Sequence, residues 1–151
     1  MSEDNPIRIF VTHTFSDHPD YVRVFEYLES ATNFFYKNCS DPSELPASEG
    51  QEARKKALRG QIQAAEIVLL PAGMYTEHQD TLTYQMAAAQ AANIPIVALE
   101  PFGGVEDVDP VIAAHVKGTV GWNERLIVDV IRQHARGVDP NRYETIEFEM
   151  P

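Results

Sequence analysis

Apolar runs and segments of helical periodicity alternate about five times along this chain. Five runs have the length and residue types of strands, and they are residues 7–12, 34–37, 66–70, 94–99 and 116–122. The run 66–70 is almost continuously apolar, which is typical of a central parallel strand covered on both faces. The alternation predicts an α/β fold with a five-stranded parallel sheet in the order 2-1-3-4-5 and helices on both faces.

The helices are predicted from residues that recur every three or four positions and from end signals. The end signals are Pro19 and Pro110 in first turns, Asp109 and Asn123 as N-caps, Ser48 with Gln51 as a capping box, and Gly137 at a helix end. The predicted inward-facing residues are Tyr21, Val24, Phe25 and Leu28, then Ala53, Ala57, Leu58, Ile62 and Ala65, and finally Leu126, Ile127, Val130 and Ile131. A third helix is expected over residues 81–92.

Length and charge narrow the class of protein. A chain of 151 residues supports one core, so residues 1–136 are predicted as one domain and 137–151 as an acidic extension, with an extra edge strand at 145–149. Twelve Lys and Arg against 23 Asp and Glu give a net charge of −11, which repels nucleic acids and anionic membranes. The single Cys39 and the absence of a signal-like or membrane-length apolar segment predict a cytoplasmic protein.

In open parallel sheets, ligands bind at the carboxyl ends of the strands, near the switch point beside the first strand. Thr12, His13, Phe15 and Ser16 follow the first predicted strand and are candidate ligand contacts, because such a loop offers backbone donors and an aromatic ring. The alternative for Phe15 is a side chain that packs into the core.

Several classes of site are disfavoured by the sequence. The chain has neither a Gly-x-Gly-x-x-Gly nor a Gly-x-x-x-x-Gly-Lys-Ser/Thr motif, and it lacks the acidic residues of a phosphorelay receiver after the predicted first and third strands. His13 and His18 lie in one predicted loop without a cysteine partner, and His78, His115 and His134 lie in separate elements, so no metal site is predicted. Cys39 is expected to be a partly buried thiol, with a reactive thiol as the alternative.

An ordered set of short motifs resembles the TIR-like family of flavodoxin-like archaeal domains, including the TIR-like subunit of the Thoeris anti-phage system. The resemblance covers residues 7–132. The motifs are Phe10-Val11-Thr12-His13 with Asp20-Tyr21, Asn33-Phe34 with Lys37-Asn38 and Pro42, Ala57-Leu58-Arg59 with Gln61-Ile62, Ala72-Gly73-Met74-Tyr75, Pro95-Ile96, Pro101-Phe102-Gly103, and Val120-Gly121-Trp122-Asn123.

The resemblance implies a three-layer TIR-like fold and a site for NAD or a related nucleotide. Active TIR-like enzymes cleave the bond between nicotinamide and ribose, using a Glu in a pattern close to Trp-x-x-x-Glu on the helix after the third strand. By position that Glu matches Gln85, and the Trp matches Thr81. An amide keeps the reach of a carboxylate but cannot offset positive charge at the anomeric carbon. Glu77 and Asp80 are the candidate replacement carboxylates.

Further ligand contacts are expected at Asn38, Cys39, Tyr75 and Tyr84, with the two tyrosines available to stack on a ring. For Gln85 the alternative is a helix residue that packs against the sheet edge beside Leu82.

Three functions stay open on the sequence alone. The first is processing of NAD or a related nucleotide, as a glycohydrolase or cyclase in prokaryotic anti-phage defence or signalling. The second is a non-catalytic module that binds a nucleotide or assembles with itself or with a TIR-like or effector partner. The third is an enzyme similar to nucleoside deoxyribosyltransferases, which needs a carboxylate nucleophile in the same region. None of them requires a cofactor beyond the nucleotide itself.

Overall fold

The structure, a computed structural model, describes residues 2–14, 18–41, 50–103 and 107–137. It contains a five-stranded parallel sheet in the order β2-β1-β3-β4-β5, which confirms the predicted fold. The strands are β1 (Ile7–Val11), β2 (Tyr36–Asn38), β3 (Ile67–Pro71), β4 (Ile96–Leu99) and β5 (Gly118–Val120). The helices are α1 (Pro19–Ser30), α2 (Gly50–Gln63), α3 (Gln79–Ala91), α4 (Pro110–Ala113) and α5 (Glu124–Arg136).

The core lies along the central strand β3. Every residue of β3 is buried, as its continuous apolar run predicts for a strand covered on both sides. It pairs with β1 in a register that sets Ile9 beside Ile67, and with β4 in a register that sets Val68 beside Ile96. Helix α1 contacts α5, and α2 contacts α3. Right-handed crossovers in this strand order place the two helix pairs on opposite faces of the sheet.

The predicted helix ends are confirmed where the structure describes them. Asp109 Oδ1 accepts a hydrogen bond from Val111 N at 2.8 Å, and Asn123 Oδ1 accepts one from Leu126 N at 3.0 Å. Gly137 ends α5 with φ +70°, a conformation that glycine adopts without strain.

Two residues of the predicted buried stripes are exposed instead. Ala53 lies on the outer side of α2, and Leu126 in the first turn of α5 is 51% exposed. The inward face of α5 is formed by Ile127, Val128 and Ile131, with Val130 partly buried against the core, so the stripe is shifted from Leu126 towards Val128. The predictions for Ser48 and for residues 145–149 lie outside the described residues.

The amino edge of the sheet, where the strands begin, is closed by a network around Glu66. The Glu66 carboxylate pairs with the Arg136 guanidinium, and one of the two hydrogen bonds joins Nη2 to Oε2 at 2.9 Å. It also accepts a hydrogen bond from Arg8 N at 2.9 Å. Arg136 Nη2 donates to Pro6 O at 3.2 Å, which ties the end of α5 to the start of β1. The Arg136 hydrogen bond lowers the pKa of Glu66.

Within the described residues, no helix is both long enough and apolar enough to cross a membrane.

Candidate functional site

The carboxyl edge, where the strands end, brings together the loops that the sequence predicted as a ligand site. Thr12 and His13 follow β1 directly and are fully buried. They therefore lie in the floor of this edge rather than on its surface. Phe15 and Ser16, the other two candidates in this loop, lie outside the described residues.

Gln85 makes the central contact of the carboxyl edge. Its side chain is fully buried on α3, and both the oxygen and the nitrogen of its amide bind the main chain of His13. Gln85 Oε1 accepts from His13 N at 3.1 Å, while Gln85 Nε2 donates to His13 O at 2.8 Å and to Thr81 O at 3.2 Å. Because one hydrogen bond uses the amide as a donor and the other as an acceptor, an ionised carboxylate could form only one of them.

A second glutamine makes the same contact one strand farther out. Gln61 Oε1 on α2 accepts from Asp41 N at 3.0 Å, and Gln61 Nε2 donates to Asp41 O at 3.1 Å. Asp41 lies shortly after the end of β2, as His13 lies shortly after the end of β1. We call these two contacts the glutamine clamps, at Gln61 and Gln85. Their repetition indicates that the amide of Gln85 holds a loop in place.

The His13 side chain contacts Gln61 and is neutral at physiological pH. Its ring centroid is 5.7 Å from that of Phe10 and 6.2 Å from that of Tyr21. Burial lowers the pKa of His13 to about 4, although the Gln61 side chain and the Asp41 carboxylate act in the opposite direction. A neutral, buried imidazole packed against two rings stabilises the floor of the edge.

The predicted contacts at the end of β2 already have partners within the protein, although Asn38 is exposed and Cys39 is only partly buried. Asn38 Oδ1 accepts from Ser40 N at 2.9 Å, and its amide donates to Tyr21 Oη at 3.3 Å. Cys39 lies 3.8 Å from Ala64 O, where burial raises the pKa of its thiol. A thiol that stays protonated is a weak nucleophile, so this environment favours the predicted partly buried thiol over the reactive alternative.

The remaining predicted residues lie on or near α3. Tyr75 is 5% exposed and borders the cleft described below. Tyr84 faces α2, where its hydroxyl donates to Lys55 O at 3.1 Å, so its ring packs between two helices. Glu77 and Asp80 are exposed at the start of α3. The structure thus gathers Thr12, His13, Tyr75 and Gln85 at one edge and directs Tyr84 and Cys39 elsewhere.

A cleft of about 570 Å³ opens at the carboxyl edge between β3 and β4. It is lined by Ala72, Gly73, Tyr75, Thr76, Pro101, Asp107, Val108, Asp109 and Pro110. The volume lies within the range of about 300–1,000 Å³ that is typical of small-molecule sites. The cleft is one strand away from the switch point beside β1. A second cleft, of about 370 Å³, lies at the amino edge near Lys117 and His115.

Gly73, in the 3-10 turn after β3, borders an ordered group of charged and aromatic side chains. A Cβ on Gly73 would lie 2.8 Å from Asp20 Oδ2, so the position has no room for a side chain unless that carboxylate moves. Asp20 pairs with Arg23 at 2.5 Å, and the Arg23 guanidinium lies 3.7 Å from the centroid of the Phe102 ring. Phe102 in turn contacts Trp122 edge to face.

Sequence reasoning missed Thr76 and Asp107 as cleft residues. The loop after β4 was expected at this edge, but its return towards β3 depends on tertiary packing and has no local sequence signal. Among the described residues, no group of three or more His, Cys, Asp and Glu side chains is placed to hold a metal ion.

Comparison with known proteins adds no family assignment. No family model matches the chain, and no curated protein matches it at a significant level of similarity.

Proposed function

We propose that this chain is a TIR-like binding module, which holds a small nucleoside or nucleotide at the cleft between β3 and β4 without cleaving it. The single observation that carries the proposal is the Gln85 clamp. The residue at the family's catalytic position is a fully buried amide whose donor and acceptor both bind the His13 peptide groups. It is committed to holding the loop and offers no charge to a transition state.

Two explanations of Gln85, a lost catalytic carboxylate and a structural clamp, predict different properties for the Gln85→Glu variant. A simple loss of the catalytic carboxylate would leave a position that accepts Glu again and regains turnover. A clamp requires an amide, because a carboxylate would face the His13 carbonyl oxygen in a buried site. The proposal therefore expects Gln85→Glu to unfold more easily and to remain inactive.

The first experiment measures catalysis and binding on the same preparation of the full chain. The wild type and Gln85→Glu are incubated with NAD, and nicotinamide release is followed by chromatography. We expect no release from either. Thermal denaturation is then measured with NAD, ADP-ribose and nucleosides, and a ligand at about 100 times its Kd raises the free energy of unfolding by about 2.7 kcal/mol.

Two glycine variants locate the binding site. Gly73→Ala adds a methyl group beside Asp20 at the border of the cleft, and we expect it to reduce the stabilisation by ligand. Gly60→Ala on α2 is the matched control, since a Cβ there meets nothing within 4 Å. A ligand effect that survives equally in both variants would place the site elsewhere.

The second candidate function is a nucleotide-cleaving enzyme that uses another carboxylate. The observation that favours it is the exposure of Glu77 and Asp80 directly after the cleft residue Thr76. Nicotinamide release by the wild type that is lost in Glu77→Gln or Asp80→Asn would establish this function and overturn the binding module.

A further inference from the structure

The connections that leave the carboxyl ends of the strands carry more acidic than basic residues. In chain order they span residues 12–18, 39–49, 72–78, 100–109 and 121–123. The described residues of these connections include five Asp or Glu, namely Asp41, Glu77, Glu100, Asp107 and Asp109, and no Lys or Arg. One basic side chain reaches them from α1, since the Arg23 guanidinium lies over the Phe102 ring, but it is paired with Asp20. The excess of carboxylates favours a negative potential at the carboxyl edge.

The helix N-termini at this edge carry carboxylates of their own. In many α/β proteins a phosphate binds there, because the first backbone N–H groups and the helix dipole attract an anion. The four helices of twelve or more residues each have an acidic residue in the first turn, namely Asp20, Glu52, Asp80 and Glu124. These carboxylates take up the favourable interaction with the dipole. Asp20 is paired with Arg23, whereas the other three repel a phosphate at the same position.

Side-chain caps also occupy backbone donors of two of these helices. Asp20 N donates to His18 Nδ1 at 3.1 Å at the start of α1, and Leu126 N donates to Asn123 Oδ1 at the start of α5. Donors that a phosphate would need are thus already engaged.

The cleft itself combines apolar surface with carboxylates. Pro101, Val108 and Pro110 give an apolar wall, and the charged side chains among its lining residues are Asp107 and Asp109. Asp109 Oδ1 caps α4, while Asp107 is exposed. An apolar wall suits a flat ring, and carboxylate oxygens suit the hydroxyl groups of a ribose.

We propose that the cleft selects a nucleoside, uncharged or cationic, over the phosphate of the same nucleoside. This inference rests on the proposed function, for which it names the ligand class. The base lies on the apolar wall, the ribose hydroxyls donate to carboxylate oxygens, and the 5′ position points to a field that rejects a phosphate.

The test is calorimetric titration of the full chain with two matched pairs of ligands. The pairs are adenosine with adenosine 5′-monophosphate and nicotinamide riboside with its 5′-monophosphate. In at least one pair we expect the nucleoside to bind about tenfold more tightly at low salt, as a few like-charge contacts near a surface would cause. The difference should shrink as salt rises to about 1 M, where the screening length falls to about 3 Å.

Variants that remove one carboxylate test whether the preference for the nucleoside over its monophosphate arises at the cleft. Asp107→Asn should narrow the difference within the pair, and the matched Asp4→Asn, at the amino edge, should leave it unchanged. A preference that Asp107→Asn does not alter overturns the assignment to this cleft. Equal or tighter binding of the monophosphates overturns the inference but leaves the proposed function standing. Absence of binding by all four ligands overturns both.

Discussion

The two edges of the sheet are held by different chemistry. At the amino edge the Glu66 carboxylate pairs with the Arg136 guanidinium, so opposite charges join α5 to the sheet. At the carboxyl edge the neutral amides of Gln61 and Gln85 bind the peptide groups of neighbouring loops. The contact between α5 and the sheet at the amino edge is thus an ion pair, whereas the two glutamine clamps at the carboxyl edge use no ions.

The difference shows how loops can be held in place by residues that do not offset the charges of those loops. Amide-to-peptide hydrogen bonds hold a loop and add no net charge. The clamps therefore leave the charge of exposed carboxylates at this edge, such as Glu77 and Asp107, unchanged. Paired ions at the amino edge contribute stability and little field, because each charge is offset within a hydrogen-bonded pair.

The largest expected effect comes from putting a charge into a clamp. Gln85→Glu should lower the free energy of unfolding by about 3–5 kcal/mol near neutral pH, since it buries a carboxylate against the His13 carbonyl oxygen. The loss should be smaller near pH 4, where a protonated carboxyl can donate that hydrogen bond. Urea denaturation at both pH values, each relative to the wild type, measures the change.

Gln90→Glu is the matched control for the clamp. Gln90 lies on the same helix but is exposed, so we expect a change within about 0.5 kcal/mol. An equally mild effect of Gln85→Glu would show that the buried amide is dispensable, and the contrast between the two edges would fail.

The next effect is the acid sensitivity of the carboxyl edge. The folded-state pKa of His13 is about 4 and the ordinary value is 6.5, so the unfolded chain binds more protons between these values. The stability linked to His13 is fully present above about pH 6.5 and is lost as the pH falls towards 4. The loss reaches about 3 kcal/mol at most. His13→Leu should flatten this part of the stability curve, and an unchanged slope in the variant would contradict the assignment.

The smallest of the three effects tests the amino edge. Arg136→Ala should lower the free energy of unfolding by about 2 kcal/mol, because a charge-assisted pair with a partly buried carboxylate is lost. Since the pKa of Glu66 is lowered by that pair, this contribution is present above about pH 4.5 and disappears at lower pH. Arg125→Ala, an exposed residue on the same helix, should change stability by less than about 0.5 kcal/mol.

The fold could be predicted because its signals are local. The continuous apolar run of β3, the caps at Asp109 and Asn123, and the glycine that ends α5 each report their structure within a few residues. The failures at Ala53 and Leu126 are also local in origin. Both are apolar and lie beside the true inward face, and a helix tolerates an exposed apolar residue there at little cost.

The site was predicted less well because its contacts are long-range. The sequence placed Gln85 and His13 at the same edge, but the hydrogen bonds between them join residues 72 positions apart. Nothing near Gln61 indicates that its amide repeats the arrangement at Asp41. The cleft depends on how the loop after β4 returns towards Thr76, which no spacing rule specifies.

The group of charged and aromatic side chains that borders Gly73 includes Trp122, the only tryptophan in the sequence. The indole of Trp122 donates to Glu100 O at 2.7 Å and touches the rings of Tyr27 and Phe102. Its ultraviolet emission therefore originates from a single position beside the carboxyl edge of the sheet. The protein consequently carries its own fluorophore, through which events at that edge can be followed without any attached dye.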